Sequence, residues 1–269
     1  MLSRASTGPV KVGPRRQNTI IYTLSTALIN LPLALSNGEL TVGALVVAIL
    51  ILSLGIHEAA HAWVASLCGD STAKDLGRLT LNPIPHIDPL MTILLPGFLV
   101  LSGSGFVFGG AKPVPVNYQR LRKPARDMML VALAGPISNL LIALLLLLVL
   151  KVFVYTQGMS MGANDPVRIL LAVKPGTATI LTQVLSQSVL YNVLLAVFNM
   201  IPFPPLDGSR VVAYLLPAPL RSSFQAIDPR FSMLIIFGLL LSGFLSGPLW
   251  AGIIRALEGL HLITGGVWL

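Results

Sequence analysis

The chain has 269 residues, 54% of them hydrophobic and only 10% charged. An ordinary soluble domain carries about 25% charged residues, so this composition argues against one and for a polytopic membrane protein. The +8 net charge comes with no basic–aromatic recognition module, so no nucleic acid is expected; in a membrane chain, basic loops mark the cytoplasmic face. Cys68 is the single cysteine, which excludes an intrachain disulfide.

In chain order, residues 1–17 are polar and basic, and Asn18–Leu35 is apolar and just long enough to span. We read it as a retained anchor, although Ala34-Leu35-Ser36 also resembles a signal-peptide cleavage site. Glu39–Cys68 is a helical stretch of about 45 Å at 1.5 Å per residue, so it tilts or emerges from the bilayer. "GRLTLNP" (77–83) alternates like a short strand. Pro89–Gly110 is apolar but broken by Pro96, Gly97, Gly103, Gly105, Gly109 and Gly110, which predicts a re-entrant loop or β-hairpin in place of a straight span. "AKPVPVNYQRLRKPAR" is a basic connection whose prolines permit only an edge strand. Asp127–Lys151 and Ile180–Ile201 are strong spans, and Phe231–Ser246 and Pro248–Ile263 are further hydrophobic segments, the last of which spans or lies on the interface.

The expected fold is therefore an all-α polytopic membrane protein of about six transmembrane helices, with a re-entrant or β-hairpin insertion near the active site. The amino terminus, Gly69–Pro89, Ala111–Arg126 and Leu206–Arg230 together hold 14 of the 18 Lys and Arg residues. They belong on one side, the cytoplasmic one. Three regions are expected: 1–40, a basic segment and anchor; 41–217, a catalytic core; and 218–269, carboxy-terminal membrane helices.

His57, Glu58 and His61 follow sixteen uncharged residues, Thr41–Ile56, although the whole chain has only three Glu and four His. The two histidines are i,i+4 and project from one helical face at metal-ligand spacing. With Glu58 they form HExxH, in which two neutral imidazoles bind zinc and the carboxylate takes a proton from water. A dication also offsets the cost of burying these groups. From Thr41 to His57 the rise is about 24 Å, which puts the centre below the bilayer surface, nearer the cytoplasm. Zinc needs a third protein ligand. Glu258 is the only Glu after Glu58, so the candidates are Asp207, His86 and Asp88; Cys68 shares the His61 face but is expected to be an inert buried thiol. Ala132, Gly135, Asn139 and Ala143 form a small face suited to close helix approach, and Pro136 is expected to kink the helix near Asn139. Ser188, Asn192 and Asn199 share one stripe expected to face the interior. Asn139, and less so Asn199, are candidate donors to the substrate carbonyl or oxyanion, against a purely interhelical hydrogen-bonding role.

The stretches "HEAAH", "GRLTLNPIPHIDPLMTILLP", "FGGAKPVPVN", "ALAGPISN" and "FNMIPFPPLDGSR" resemble the site-2 protease family of intramembrane zinc metalloproteases, over about residues 42–217. The resemblance implies that His57, His61 and Asp207 bind one Zn2+ per chain, with Glu58 as general base. It implies a core of three helices carrying HExxH, GPxxN and the LDG element. The segment after Lys151 is too short for a PDZ domain, so the chain looks like the compact subgroup. The first forty residues match nothing in the family. The expected activity is cleavage of a membrane-spanning protein substrate in the lipid bilayer of the cell membrane. The segment "FVFGGAKPVPVN" is a candidate edge for an extended substrate, or else a structural plug. A zinc-binding protein or transporter that does not cleave is the alternative.

Overall fold

The structure, a computed structural model, describes residues 37–102, 109–156 and 180–264. They are mostly helical, and no strand occurs among them. Three helices are long and apolar enough to cross a membrane: α1 (Asn37–Leu67), α3 (Pro124–Thr156) and α4 (Ile180–Asn199). Between the first two, a π-helical turn at Pro89–Leu94 runs into α2 (Leu95–Leu101). After α4 come α5 (Asp207–Leu215), α6 (Ala218–Gln225), α7 (Pro229–Leu241) and α8 (Ser246–Ile263).

The long helix α3 is the hub, packing against α1, α4 and α5, while α1 and α4 also touch. Each helix offers a buried stripe at helical spacing. On α1 it runs Val42, Val46, Leu50, Leu54 and then continues as His57, His61 and Ala65. On α3 it includes Val131, Gly135, Asn139, Ala143, Leu147 and Leu150. On α4, Leu185, Val189 and Val193 join Leu147 and Leu150 of α3 and Ile253 and Leu257 of α8 in one apolar cluster. A second cluster joins Val42, Val46, Leu50 and Leu54 of α1 to Val184, Tyr191 and Leu195 of α4. Outward positions are also apolar, as at Leu45, Leu52, Leu141, Leu145 and Leu148. A helix that is hydrophobic all round suits lipid, where close packing between small residues, and not escape from water, holds neighbours together.

Several expectations change here. Residues 77–83 are bends, not a strand: Gly77 takes φ 68°, and the Thr80 carbonyl accepts from His86 Nε2 instead of from a neighbouring strand. Pro89 opens the π-helical turn, where its missing N–H has no acceptor to lose, and Pro96 follows that turn in α2, where the Met91 carbonyl accepts from the Gly110 N–H. The rest of the expected hairpin, 103–108, lies outside the described residues, as do the anchor at 18–35 and most of the segment 153–179. Pro136 does stand inside a helix, as expected, three residues before Asn139 in α3.

Candidate metal centre and active site

His57 and His61 lie one turn apart on the buried face of α1, each about 5% exposed. Asp207 is the first residue of α5 and is 7% exposed. The Nε2 atoms of the two histidines are 3.0 Å apart, and each is 3.3 Å from Asp207 Oδ2. Among the described residues, these three form the one group of His, Cys, Asp and Glu side chains placed to share a cation.

Two glycines let the three meet. A Cβ on Gly135 would fall 2.5 Å from His57 Cε1 and from His61 Nε2, so the bare backbone of α3 forms the wall against which the rings lie. A Cβ on Gly208 would run into the Met200 carbonyl, so only glycine lets the start of α5 press on the end of α4 and bring Asp207 inward. At the far end of α5, the Arg221 guanidinium donates to the carbonyls of Ala213, Tyr214 and Leu216 and closes its last turn.

The chemistry of this donor set fits a divalent cation. His61 Nδ1 is 2.7 Å from the Val131 carbonyl, which can only accept, so Nδ1 carries a proton and Nε2 is the ring nitrogen turned toward His57 and Asp207, free to ligate through its lone pair in the neutral imidazole. Two imidazole nitrogens and one carboxylate oxygen thus converge, a ligand set that a divalent cation takes. Zinc ligands at about 2.0–2.1 Å from a tetrahedral ion are separated by about 3.3 Å. The observed edges of 3.0, 3.3 and 3.3 Å match that figure.

The Glu58 carboxylate reaches the segment 109–117. Its Oε2 accepts from the Val114 N–H at 2.8 Å. That segment has no helix or strand and is tied to its neighbours by main-chain bonds. The Gly110 N–H donates to the Met91 carbonyl, the Lys112 N–H to the His86 carbonyl, and the Asn117 N–H to Asp70. Val114 itself is buried against Ala62 and Ala73.

Asn139 is fully buried, with Oδ1 2.6 Å from His57 Nδ1 and Nδ2 donating to Asn192 Oδ1 at 3.1 Å. Asn192 and Ser188 face the interior as expected, whereas Asn199 is half-buried and returns its amide to the Leu195 carbonyl of its own helix. The other ligand candidates are engaged elsewhere. His86 is held between Arg78 and the Thr80 carbonyl, and Asp88 caps the turn at Leu90 and Met91. Cys68 lies just past α1, where burial and the charge of Asp127 push its thiol up, away from the reactive thiolate. The main-chain groups of Val114 and Val131 carry no signal in a sequence.

Comparison with known proteins agrees with this geometry. The model of Peptidase family M50 matches residues 45–242. The chain belongs to peptidase family M50. It is 38% identical to "Putative zinc metalloprotease YwhC" of Bacillus subtilis over 201 residues, 75% of this chain and 82% of that protein. Two proteins named "Putative zinc metalloprotease Rip2" are also similar. The one from Mycolicibacterium smegmatis is 38% identical over 110 residues, 40% of each chain. The one from Mycobacterium tuberculosis H37Rv is 30% identical over 198 residues, 73% of this chain and 66% of that protein. No solved structure matches the chain. In this M50 chain the family match takes in every residue of the His57–His61–Asp207 cluster as well as Glu58 and Asn139.

Proposed function

We propose that this chain is an intramembrane zinc metalloprotease that hydrolyses peptide bonds of membrane-spanning proteins. The observation that carries the reading is the convergence of His57 Nε2 and His61 Nε2, on a helix long enough to span, with Asp207 Oδ2 of α5 at zinc-ligand separations. His57, His61 and Asp207 hold the ion. Zinc bound there supplies Lewis acidity toward the scissile carbonyl and the attacking water.

The chain's own residues do the remainder. Glu58 takes the proton of that water and passes it to the amine as the C–N bond breaks, which leaves one carboxylate and one amine as products. The Val114 N–H occupies Oε2 and keeps the carboxylate from turning, so Oε1 carries the proton. Asn139 is assigned to orienting His57, in preference to donating to an oxyanion, because both ends of its amide group are already bonded within the helix trio.

The substrate reaches the centre as an extended strand, since a helix hides its carbonyls in its own hydrogen bonds. Residues 109–117 are the edge we assign to it; the prolines at 113 and 115 keep that edge from pairing fully within the chain. The catalytic core is taken as 41–217, flanked by 1–40 and 218–269, with about six spans in the cell membrane and the centre toward the cytoplasm. The bias of basic residues supports that orientation.

The test is Glu58→Gln, reconstituted with a single-span substrate. Zinc content is expected to stay at one per chain, while cleavage falls by about 100- to 10,000-fold. Cleavage at the wild-type rate by the zinc-loaded variant would overturn the assignment. A wild type that binds zinc and cleaves nothing would favour the non-proteolytic alternative.

A further inference from the structure

Deeper in the bundle, a line of polar groups runs from the main chain of α4 to the imidazole of His57, and its direction is determined. It begins at the Ser188 carbonyl, which can only accept. Asn192 Nδ2 is 2.9 Å from it, so the amide nitrogen of Asn192 must face that way. Asn192 Oδ1 is then an acceptor, and the group 3.1 Å from it on Asn139 must be the donor, Nδ2. This leaves Asn139 Oδ1 toward His57, 2.6 Å from Nδ1, and requires the His57 proton on Nδ1. Every amide in the line is fixed by the one before it, back to a group that has no alternative state.

We propose that Asn192 is a positioning residue: through Asn139 it fixes His57 as the Nδ1–H tautomer, so that the Nε2 lone pair always faces the metal centre. Asn192 sits on α4, two hydrogen bonds from the ring it controls, and is 1% exposed; Asn139 is 0% exposed. Water therefore does not compete for either amide, and nothing but the partner decides how each is turned. His61 reaches the same state by a shorter route, the Val131 carbonyl of α3. Both imidazoles thus bond to α3, His61 to its main chain and His57 to Asn139, whose amide α4 orients through Asn192.

The inference rests on His57 being a ligand, and it makes a demand that a simple packing role does not. An isosteric apolar side chain at 192 would fill the space but release Asn139 to turn, which gives His57 access to the other tautomer. Partners behind a metal-bound histidine commonly change affinity by about 10- to 100-fold.

The experiment uses the full chain in nanodiscs with 15N-labelled histidine, stripped of metal by a chelator. The His57 signals are assigned by their loss in His57→Gln. The wild type is expected to show His57 as a single Nδ1–H tautomer. Asn192→Leu is expected to show both tautomers and to bind zinc about tenfold or more weakly in competition with a chromophoric chelator, with helical content unchanged. Asn192→Asp is expected to restore both readouts. A carboxyl at that buried position stays protonated and reproduces the pattern, donating to Ser188 and accepting from Asn139. An Nε2–H His57 in the wild type would overturn the proposal, and so would an Asn192→Leu protein with wild-type tautomer and zinc affinity within twofold. If Asn192→Leu does not fold, the wild-type spectrum and Asn192→Asp decide. A wild type that holds the Nδ1–H tautomer yet binds no zinc upholds the relay and sinks the metalloprotease reading instead.

Discussion

Two carboxylates of this molecule are almost equally hidden and have opposite surroundings. Asp70, just past the end of α1, is 0% exposed and is met entirely by donors: the Thr72 N–H, the Thr72 hydroxyl and the Asn117 N–H. Asp207, at the start of α5, is 7% exposed and is met by two imidazole nitrogens, the Nε2 atoms of His57 and His61. The chain satisfies Asp70 by itself. At Asp207 the close partners are two imidazole nitrogens, each of which is also a metal-ligating atom. A buried carboxylate met by N–H and O–H donors is a structural tie; one met by two imidazole nitrogens is placed to share a cation with them.

Replacement of Asp207 breaks the comparison most severely. Asp207→Ala is expected to lower bound zinc from one per chain to below about a tenth, and to reduce cleavage by at least about 1,000-fold, since the centre keeps only two protein ligands. Its effect on stability should appear only through the metal. Excess zinc raises the thermal midpoint of the wild type by mass action, and this rise is expected to vanish in the variant, while the zinc-free proteins melt together. Near-equal zinc content by metal analysis would remove Asp207 from the ligand set.

Next in size is Gly135→Ala. The added methyl would meet both imidazoles at about 2.5–2.6 Å, so the rings must retreat by about 1 Å to reach ordinary contact. A displacement of that size in a catalytic constellation costs on the order of 100-fold. Alanine is also the better helix former by about 1 kcal/mol, so the variant is expected to fold at least as well as the wild type while losing activity. Unchanged activity in a folded Gly135→Ala protein would mean that the rings do not lie against α3.

Part of this arrangement was legible in the sequence. The i,i+4 histidines with Glu58 declared a metal centre, because the spacing alone puts two imidazoles on one face. The long apolar runs placed three helices whose observed ends differ from those expected by at most five residues. Asp207 could not be separated from His86 and Asp88 on residue type, since all three can ligate; only the fold showed that His86 and Asp88 spend their groups on local loop bonds. The small face around Gly135 and the interior stripe through Asn192 were visible as patterns. What joins them depends on how α3 and α4 are rotated about their axes, which no single-helix periodicity encodes. The alternation at 77–83 misled because hydropathy alone does not show whether a partner strand exists: Leu81 is exposed, and the Thr80 carbonyl is met by the His86 ring. The main-chain partners of Glu58 and His61, at Val114 and Val131, have no residue signature at all.

The smallest effect belongs to the satisfied carboxylate and sharpens the comparison from the other side. Burial pushes the Asp70 carboxyl up, but the bonds from the Thr72 hydroxyl and N–H and from the Asn117 N–H outweigh it and hold the group below the usual carboxylate range. A group with its folded-state value depressed stabilises the fold fully above its unfolded value, about pH 3.9. That contribution is lost as pH falls through the lower, folded value. The wild type should therefore exceed Asp70→Asn in stability by on the order of 1 kcal/mol at pH 6 to 7, and the gap should close as the pH is taken down from about 4. Asparagine presents an N–H to the Asn117 N–H, so the tie between α1 and the segment 109–117 is lost in the variant at every pH. Thermal midpoints of the two proteins in detergent between pH 3 and pH 7 give the measurement. A gap that stays constant across that range would mean that the ionised form of Asp70 is no better held in the fold than the neutral one.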